Sequence, residues 1–395
     1  MYLNIYYRLY PLFRTNKIRN KKAPIDVVFV LYDLATWKTE SLYVEMLHND
    51  RFNPILAVTR NINLKSNEEA VVNYIVKRKY AYIILDEERT ILEQVPTDIL
   101  IYQRPYCEEP LLHRYYNNKK ALLIHLYYAF HSMLESWCVN APMALRSWQD
   151  YYENELCADG VRQHAKNRGR NAVVTGTPMM DELAKDKSEF ENPWKNNDAR
   201  KRIIWAPHHT IGDIHMSGIA YGTFLEIAED MVSLAKDYKD QIYIAFKPHP
   251  VLYRNLLKVW GEEKTNAYYK EWEKMENTQI ETGAYTSLFK YSDAMIHDCG
   301  GFTMEYLTTG NPVMYVVRNE RRTDNVNECA RRSFYLHYHG HNIAEIKDFV
   351  EMVIDGRDKR KAERVDFVRH YLRAPHGKSA CQNIINAILG VEEYK

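Results

Sequence analysis

Short apolar, β-branched runs recur along this chain with helix-length spacers between them, and few folds accommodate that rhythm. The first set is VVFVLY (27–32), PILAVT (54–59), YAYIIL (80–85), DILIYQ (98–103), ALLIHLYYAF (121–130) and NAVVTGTP (171–178). A strand that is apolar on both faces is buried on both faces. Strands that alternate with helical segments such as 67–79 therefore form a parallel sheet with helical crossovers. A second set follows: RIIWAP (202–207), IYIAFKP (242–248), AMIHD (294–298) and PVMYVV (312–317), with helices expected near 218–238, 251–275, 302–309 and 343–356. Between the sets, 187–202 is polar and broken by Pro193, as a linker is. The expectation is two α/β halves facing each other, in keeping with 395 residues and about 100–200 residues per domain.

Composition narrows the class further. With 46% hydrophobic and 27% charged residues and only 15 Gly and 14 Pro, the chain is neither collagenous nor disordered. No apolar run is long enough for a membrane-spanning helix, no secretory leader is visible, and six scattered cysteines without a C-x-x-C pair suggest neither a disulfide framework nor a zinc site; a reducing cytoplasm fits. The net charge of +1 argues against a dedicated nucleic-acid binder. That neutrality is a cancellation, because residues 1–22 carry six cations and no acid, which leaves −5 on the remaining 373. In MYLNIYYRLYPLF apolar residues interleave with cations, a pattern shared by an interfacial anchor on anionic lipid and by an amphipathic core helix followed by a solvated basic stretch. The aromatic density between 101 and 152 is likewise open between an acceptor cleft and a core.

Three segments carry chemistry. In SDAMIHDCGGFTMEY (292–306) a buried strand runs into Asp298, then Gly300 and Gly301 open a helix. Free amides at a helix start favour an anion, Thr303 can add a hydroxyl, and Glu305 could accept from ribose hydroxyls. A plain tight turn has the same glycine pair. In FKPHP (246–250), Lys247 and His249 stand between prolines at the carboxyl end of a strand, where open α/β sheets bind ligands. In WAPHHT (205–210), His208 and His209 follow a strand in the same way, and adjacent side chains diverge, so at most one is expected to face a ligand. No H-E-x-x-H or D-x-D spacing accompanies these segments, so no metal ligands are assigned. The phosphates of a donor would be neutralised by histidines, Lys247, backbone amides and Arg318, Arg321 or Arg322.

In sequence and in order, WAPHHT, FKPHP and SDAMIHDCGG resemble the segments of the CDP-glycerol glycerophosphotransferase family, the teichoic-acid and capsule primases and polymerases of GT-B architecture. VVTGTPMMDEL (173–183) is similar to that family's G-x-P-x-x-D segment, and HGKSACQNIINAI (376–388) to its closing helix. The likeness covers roughly 171–390 and implies a GT-B-like α/β fold, with two Rossmann-like parallel-sheet domains facing an interdomain cleft. The implied organisation is a basic amphipathic segment at 1–22, an acceptor-side domain at 23–186, a linker at 187–201, a nucleotide-donor domain at 202–375 and a closing helix at 376–395 packing back across the domains. It implies that Lys247 and His249 contact the donor pyrophosphate, with His208 and Thr303 beside them, and that Asp298 with Gly300–Gly301 seats it. Where the family has two serines this chain has Gly300 and Gly301, which keep the amides and drop two hydroxyls. The family's W-H-G-T histidine, the base on the acceptor hydroxyl, has no direct counterpart here. The best-placed segment is IHLYYAFHS (124–132), so His125, with His131 behind it, is the expected base; Asp33 is another supplier, and a buried structural histidine is the competing reading.

The expected activity is transfer of glycerol phosphate, or a similar polyol phosphate, from a CDP-activated donor such as CDP-glycerol to a hydroxyl of a surface polymer. CMP would be released, no cofactor would be obligatory, and the enzyme would be peripheral at the inner face of the membrane, near a lipid-linked acceptor. The alternatives are a GT-B glycosyltransferase using a nucleotide sugar and a non-catalytic binding subunit of a polymer-assembly complex.

Overall fold

The computed structural model describes residues 2–34, 36–59, 67–86, 89–103, 121–211, 221–283, 285–318 and 323–394; Arg321 and Arg322 lie outside them. The chain divides into two compact units, Met1–Glu182 with Leu372–Lys395, and Leu183–Tyr371. Among the described residues no helix is long and apolar enough to cross a membrane.

The first unit holds a seven-stranded sheet of β1 (Ile25–Leu31), β2 (Phe52–Val58), β3 (Tyr82–Ile84), β4 (Ile99–Tyr102), β5 (Leu122–His125), β6 (Gln149–Tyr152) and β7 (Ala172–Val174). Its order is β3-β2-β1-β4-β5-β6-β7 and every pairing is parallel. This is the doubly wound arrangement, whose order reverses between β1 and β4. One face of the sheet is covered by a core in which Phe29, Ile101 and Tyr151 pack with Cys381, Ile384 and Ile388 of the closing helix Ala380–Leu389.

That helix is clamped at both ends by residues far away in sequence. At its start, Asp181 accepts from the amides of Ala380 (2.8 Å) and Cys381 (2.9 Å), and Ser379 Oγ accepts from Gln382 N–H. At its end, Arg19 donates to the carbonyls of Ile388 (2.9 Å) and Ala387 (3.0 Å), which have no partner within the helix. Gly176 has φ +76°, and a Cβ there would lie 3.0 Å from the side chains of Ala374 and Ala380. The G-x-P-x-x-D segment is thus a clasp for the closing helix.

The same contacts revise the basic N-terminal segment. It forms the helix Tyr2–Arg19, in which Ile18 is core, Arg14 pairs with Asp98, and Lys21 just beyond pairs with Asp98 and Asp26. Three of the six cations are therefore engaged inside the unit. Leu12 and Phe13, at 66% and 79% exposure, point outward from the same helix.

The second unit has a six-stranded parallel sheet of β8 (Lys201–Ala206), β9 (Ile242–Phe246), β10 (Thr278–Ile280), β11 (Ala294–His297), β12 (Val313–Val316) and β13 (Tyr338–Gly340). The order is β10-β9-β8-β11-β12-β13, with reversal between β8 and β11. Trp205 stacks with Phe224 and Phe246 in its core. The stretch expected as a linker is packed onto this unit: Trp194 is buried and its indole N–H donates to Leu288 O (3.2 Å). The helix expected at 302–309 is one α-turn, Phe302–Glu305, continued as a 3₁₀ turn, Tyr306–Thr309.

Candidate functional site

In the second unit the switch point lies between β8 and β11, so the loops leaving these strands flank the crevice where doubly wound sheets bind ligands. WAPHHT leaves β8 and HDCGG leaves β11. Asp298, 1% exposed, ties them together: one carboxylate oxygen accepts from the His208 amide (2.6 Å), the other from the Thr223 amide (2.6 Å) and hydroxyl (2.9 Å). Burial outweighs these donors and pushes its pKa up to about 6. With three donors on it, the Asp298 carboxylate holds the two loops together. The lacing continues at Thr210, whose Oγ1 accepts from the amides of Tyr221 and Gly222. Gly222 approaches so closely that a Cβ would lie 2.0 Å from Thr210 O.

On this frame sit three imidazoles. Ring centroids are 4.3 Å apart for His208–His209 and for His209–His249, and 5.5 Å for His208–His249. Both adjacent histidines therefore join the cluster, and His209, which the motif reading left without a role, is the ring that touches the other two; the chain bends at His209. His249 is fixed through its backbone, with its amide donating to Pro207 O (3.1 Å), and Val251 N–H donates to its Nδ1 (3.1 Å). Burial, His209 and Lys247 lower its pKa to about 3. A neutral ring whose Nδ1 accepts carries its proton on Nε2, so His249 presents an N–H donor. Lys247 is 8% exposed, and its ammonium donates to Gly283 O (2.9 Å), beside Tyr285.

The glycine turn fits an anion less fully than expected. Thr303 is buried and its hydroxyl donates to Cys299 O (3.3 Å) within the turn, which corrects its expected contribution as a phosphate donor. Glu305 is 2% exposed. Gly300 is half-buried and Gly301 exposed. Gly301 has φ −62°, and a Cβ there would meet nothing within 4 Å. The backbone does not require glycine at Gly301; its effect is to leave open space. Arg318 is engaged with Gly222 O (3.1 Å) and Glu226 (3.4 Å).

The first unit carries a second imidazole group at the carboxyl edge of its sheet. His125, the last residue of β5 and 2% exposed, donates from Nδ1 to Asp150 Oδ1 (2.7 Å) on neighbouring β6. Tyr152 OH donates to the other oxygen of Asp150 (2.7 Å). His131 follows, its ring 4.3 Å from that of Tyr152, and both its Nδ1 (3.2 Å) and its amide (3.0 Å) reach the buried Glu153 carboxylate. Burial opposes a charge on His131, but the Glu153 carboxylate outweighs it and raises the pKa. Asp150 and Glu153 were not anticipated. Asp33, the other expected base, accepts from the Thr36 amide (2.8 Å) in a local turn. Of the aromatic-rich stretch, Tyr102, Tyr151 and Tyr152 are core.

Two Rossmann-like parallel sheets, the second with a Lys–His cluster at its switch point, define an α/β enzyme of the GT-B-like class. The chain belongs to the CDP-glycerol:poly(glycerophosphate) glycerophosphotransferase family, whose model matches residues 154–390, and it is an enzyme of that kind. Its fold is similar to that of a putative UDP-N-acetylglucosamine 2-epimerase from Listeria monocytogenes (TM-score 0.61, 13% identity, 94% of this chain and 98% of that one). It is also similar to UDP-GlcNAc 2-epimerase from Neisseria meningitidis (0.59, 13%, 92% and 99%) and to a variant of the wall teichoic acid polymerase TagF (0.60, 15%, 98% and 92%). At these identities the likeness concerns the fold. No curated protein sequence matches the chain.

Proposed function

We propose that this enzyme transfers glycerol phosphate, or a closely similar polyol phosphate, from a CDP-activated donor to a hydroxyl of a teichoic-acid-like or other cell-surface polymer. The observation that carries the reading is the His208–His209–His249 cluster beside Lys247 at the switch point of the second sheet, in a chain of this family. Lys247, the Nε2–H of His249 and the amides of Gly300 and Gly301 receive the donor diphosphate without an obligatory metal, and Asp298 holds the loops in place. An acceptor hydroxyl attacks the phosphorus that bears the polyol, the bridging P–O bond breaks, and CMP departs with the electron pair. The attack also needs a group to take the hydroxyl proton, and the first unit by itself offers one in Nε2 of His125, whose Nδ1–H is held by Asp150. The nucleotide is stabilised by charge placed where it develops, in positions fixed before binding. The exposed Leu12 and Phe13 dip into an anionic membrane surface at its inner face, near a lipid-linked acceptor.

A ligand that binds only the folded protein raises its melting temperature. In a panel of CDP-glycerol, CDP-ribitol, CMP and UDP-sugars, the cytidine ligands raise the melting temperature of the wild type, and the CDP-polyols lose most of that effect in His249→Ala. A rise with UDP-sugars alone would replace this reading with a nucleotide-sugar glycosyltransferase.

A further inference from the structure

The imidazole group of the first unit has a second chemistry in it. We propose that His125, His131 and Asp150 form a binding site for one divalent transition-metal ion of the zinc class. One donor atom from each of the three lies within 4.8 Å of the others. Tetrahedral zinc ligation sets donors roughly 3.4 Å apart, at about 2.0–2.2 Å from the ion, so small rotamer adjustments close the site. Two imidazole nitrogens and one carboxylate oxygen suit zinc, cobalt or nickel; a hard cation such as magnesium prefers an all-oxygen shell.

His125 Nε2 supports the assignment independently. It is buried, makes no hydrogen bond, and belongs to a side chain 2% exposed. A buried polar atom left unpaired is costly, so this ring has bonding capacity that the protein alone does not use. The surroundings are those of ligating side chains: the Glu153 carboxylate orients the His131 ring, and Tyr152 OH fixes the free oxygen of Asp150. The strands β5 and β6 are paired in the sheet, so His125 and Asp150 stand on rigid backbone. His131 is partly exposed and gives the ion a way in.

An ion held there engages the imidazole that the proposed mechanism uses as base, so zinc inhibits transfer. That consequence rests on the proposed function; the site itself does not.

The test uses the full chain, stripped with EDTA and titrated with Zn²⁺ by calorimetry and with Co²⁺ by its visible absorption. The wild type binds zinc, His131→Gln and Asp150→Asn each lose one bound ion, and Glu153→Gln keeps the ion but binds it about 10–100-fold more weakly. His209→Ala, which removes an imidazole from the other cluster, keeps this ion. Melting curves without metal establish that each variant is folded, and the zinc-induced rise in melting temperature seen for the wild type is absent in His131→Gln. Absence of zinc binding by the folded wild type, or binding unchanged in both His131→Gln and Asp150→Asn, overturns the site. Zinc binding that depends on these residues but leaves turnover intact upholds the site and removes His125 as base.

Discussion

The two sheets share a strand order and each carries an imidazole cluster at its carboxyl edge, but the clusters have different neighbours. In the first unit each histidine faces a carboxylate, His125 on Asp150 and His131 on Glu153. In the second, His208, His209 and His249 pack on one another beside Lys247, and the carboxylate of Asp298 accepts from two amides and a hydroxyl instead of from an imidazole. An imidazole held by an acid is suited to accept and keep a proton. An imidazole crowded by cations and buried stays neutral and donates a hydrogen bond, which an incoming diphosphate can accept. One architecture thus surrounds its imidazoles with carboxylates on one sheet and with a lysine and further imidazoles on the other.

The largest effects come from removing either function. His125→Ala loses about 10²–10⁴ in kcat, the usual worth of a general base, with little change in affinity for CDP-glycerol. His249→Ala loses about 10²–10³ in turnover, the usual worth of one charge-stabilising donor, and also weakens donor binding. Gly301→Val abolishes donor binding at unchanged melting temperature, because the added side chain meets only open space in the fold. Steady-state kinetics and donor titrations check all three. If His125→Ala weakened donor binding and His249→Ala left it intact, the division between the two edges would be wrong.

A smaller effect reads the same contrast through pH. For His249, lowered to about 3, the unfolded chain takes up a proton below pH 6.5 that the folded chain refuses, so stability falls as pH falls from about 6.5 toward 3. For His131, raised above 6.5, the folded chain holds a proton that the unfolded chain releases, so its contribution is present below 6.5 and lost as pH rises through the folded value. Melting temperature against pH is therefore flattened on the acid side by His249→Ala and on the alkaline side by His131→Gln. The same sign of change in both variants would break the comparison.

The smallest effect concerns the N-terminal helix. Because Arg14 and Arg19 fasten it to the unit, deleting residues 1–20 would strip Ile18 from the core and confuse binding with stability. Leu12→Glu with Phe13→Glu leaves these contacts in place and lowers sedimentation with anionic vesicles; unchanged sedimentation would remove the membrane reading.

Much of this was legible in the sequence where one physical signal dominated. Strands buried on both faces read as apolar runs, and β1, β2, β8 and β9 lie where those runs stand. Short strands with polar residues did not announce themselves: β6 is Gln149–Tyr152, β10 is Thr278–Ile280 and β13 is Tyr338–Gly340. Missing β6 hid Asp150 and Glu153, which is why His125 and His131 stood without partners in the sequence reading. Gly261, with φ +78°, divides what reads as one helix at 251–275 into Leu252–Val259 and Gly261–Lys274. The motifs named the right loops and not always the right roles. Asp298 turns inward because the amides of His208 and Thr223, far away in sequence, claim it, and Thr303 because the carbonyl of Cys299 in its own turn does.

The direct test of the central claim is the identity of the released nucleotide. The purified enzyme is incubated with CDP-glycerol and a lipid-linked acceptor, and the products are separated by anion-exchange chromatography. CMP appearing in step with polymer phosphate, and slowed about 10²–10³-fold with His249→Ala, is the result predicted. No CMP from CDP-glycerol, together with UDP or CDP released from a nucleotide sugar, would contradict it.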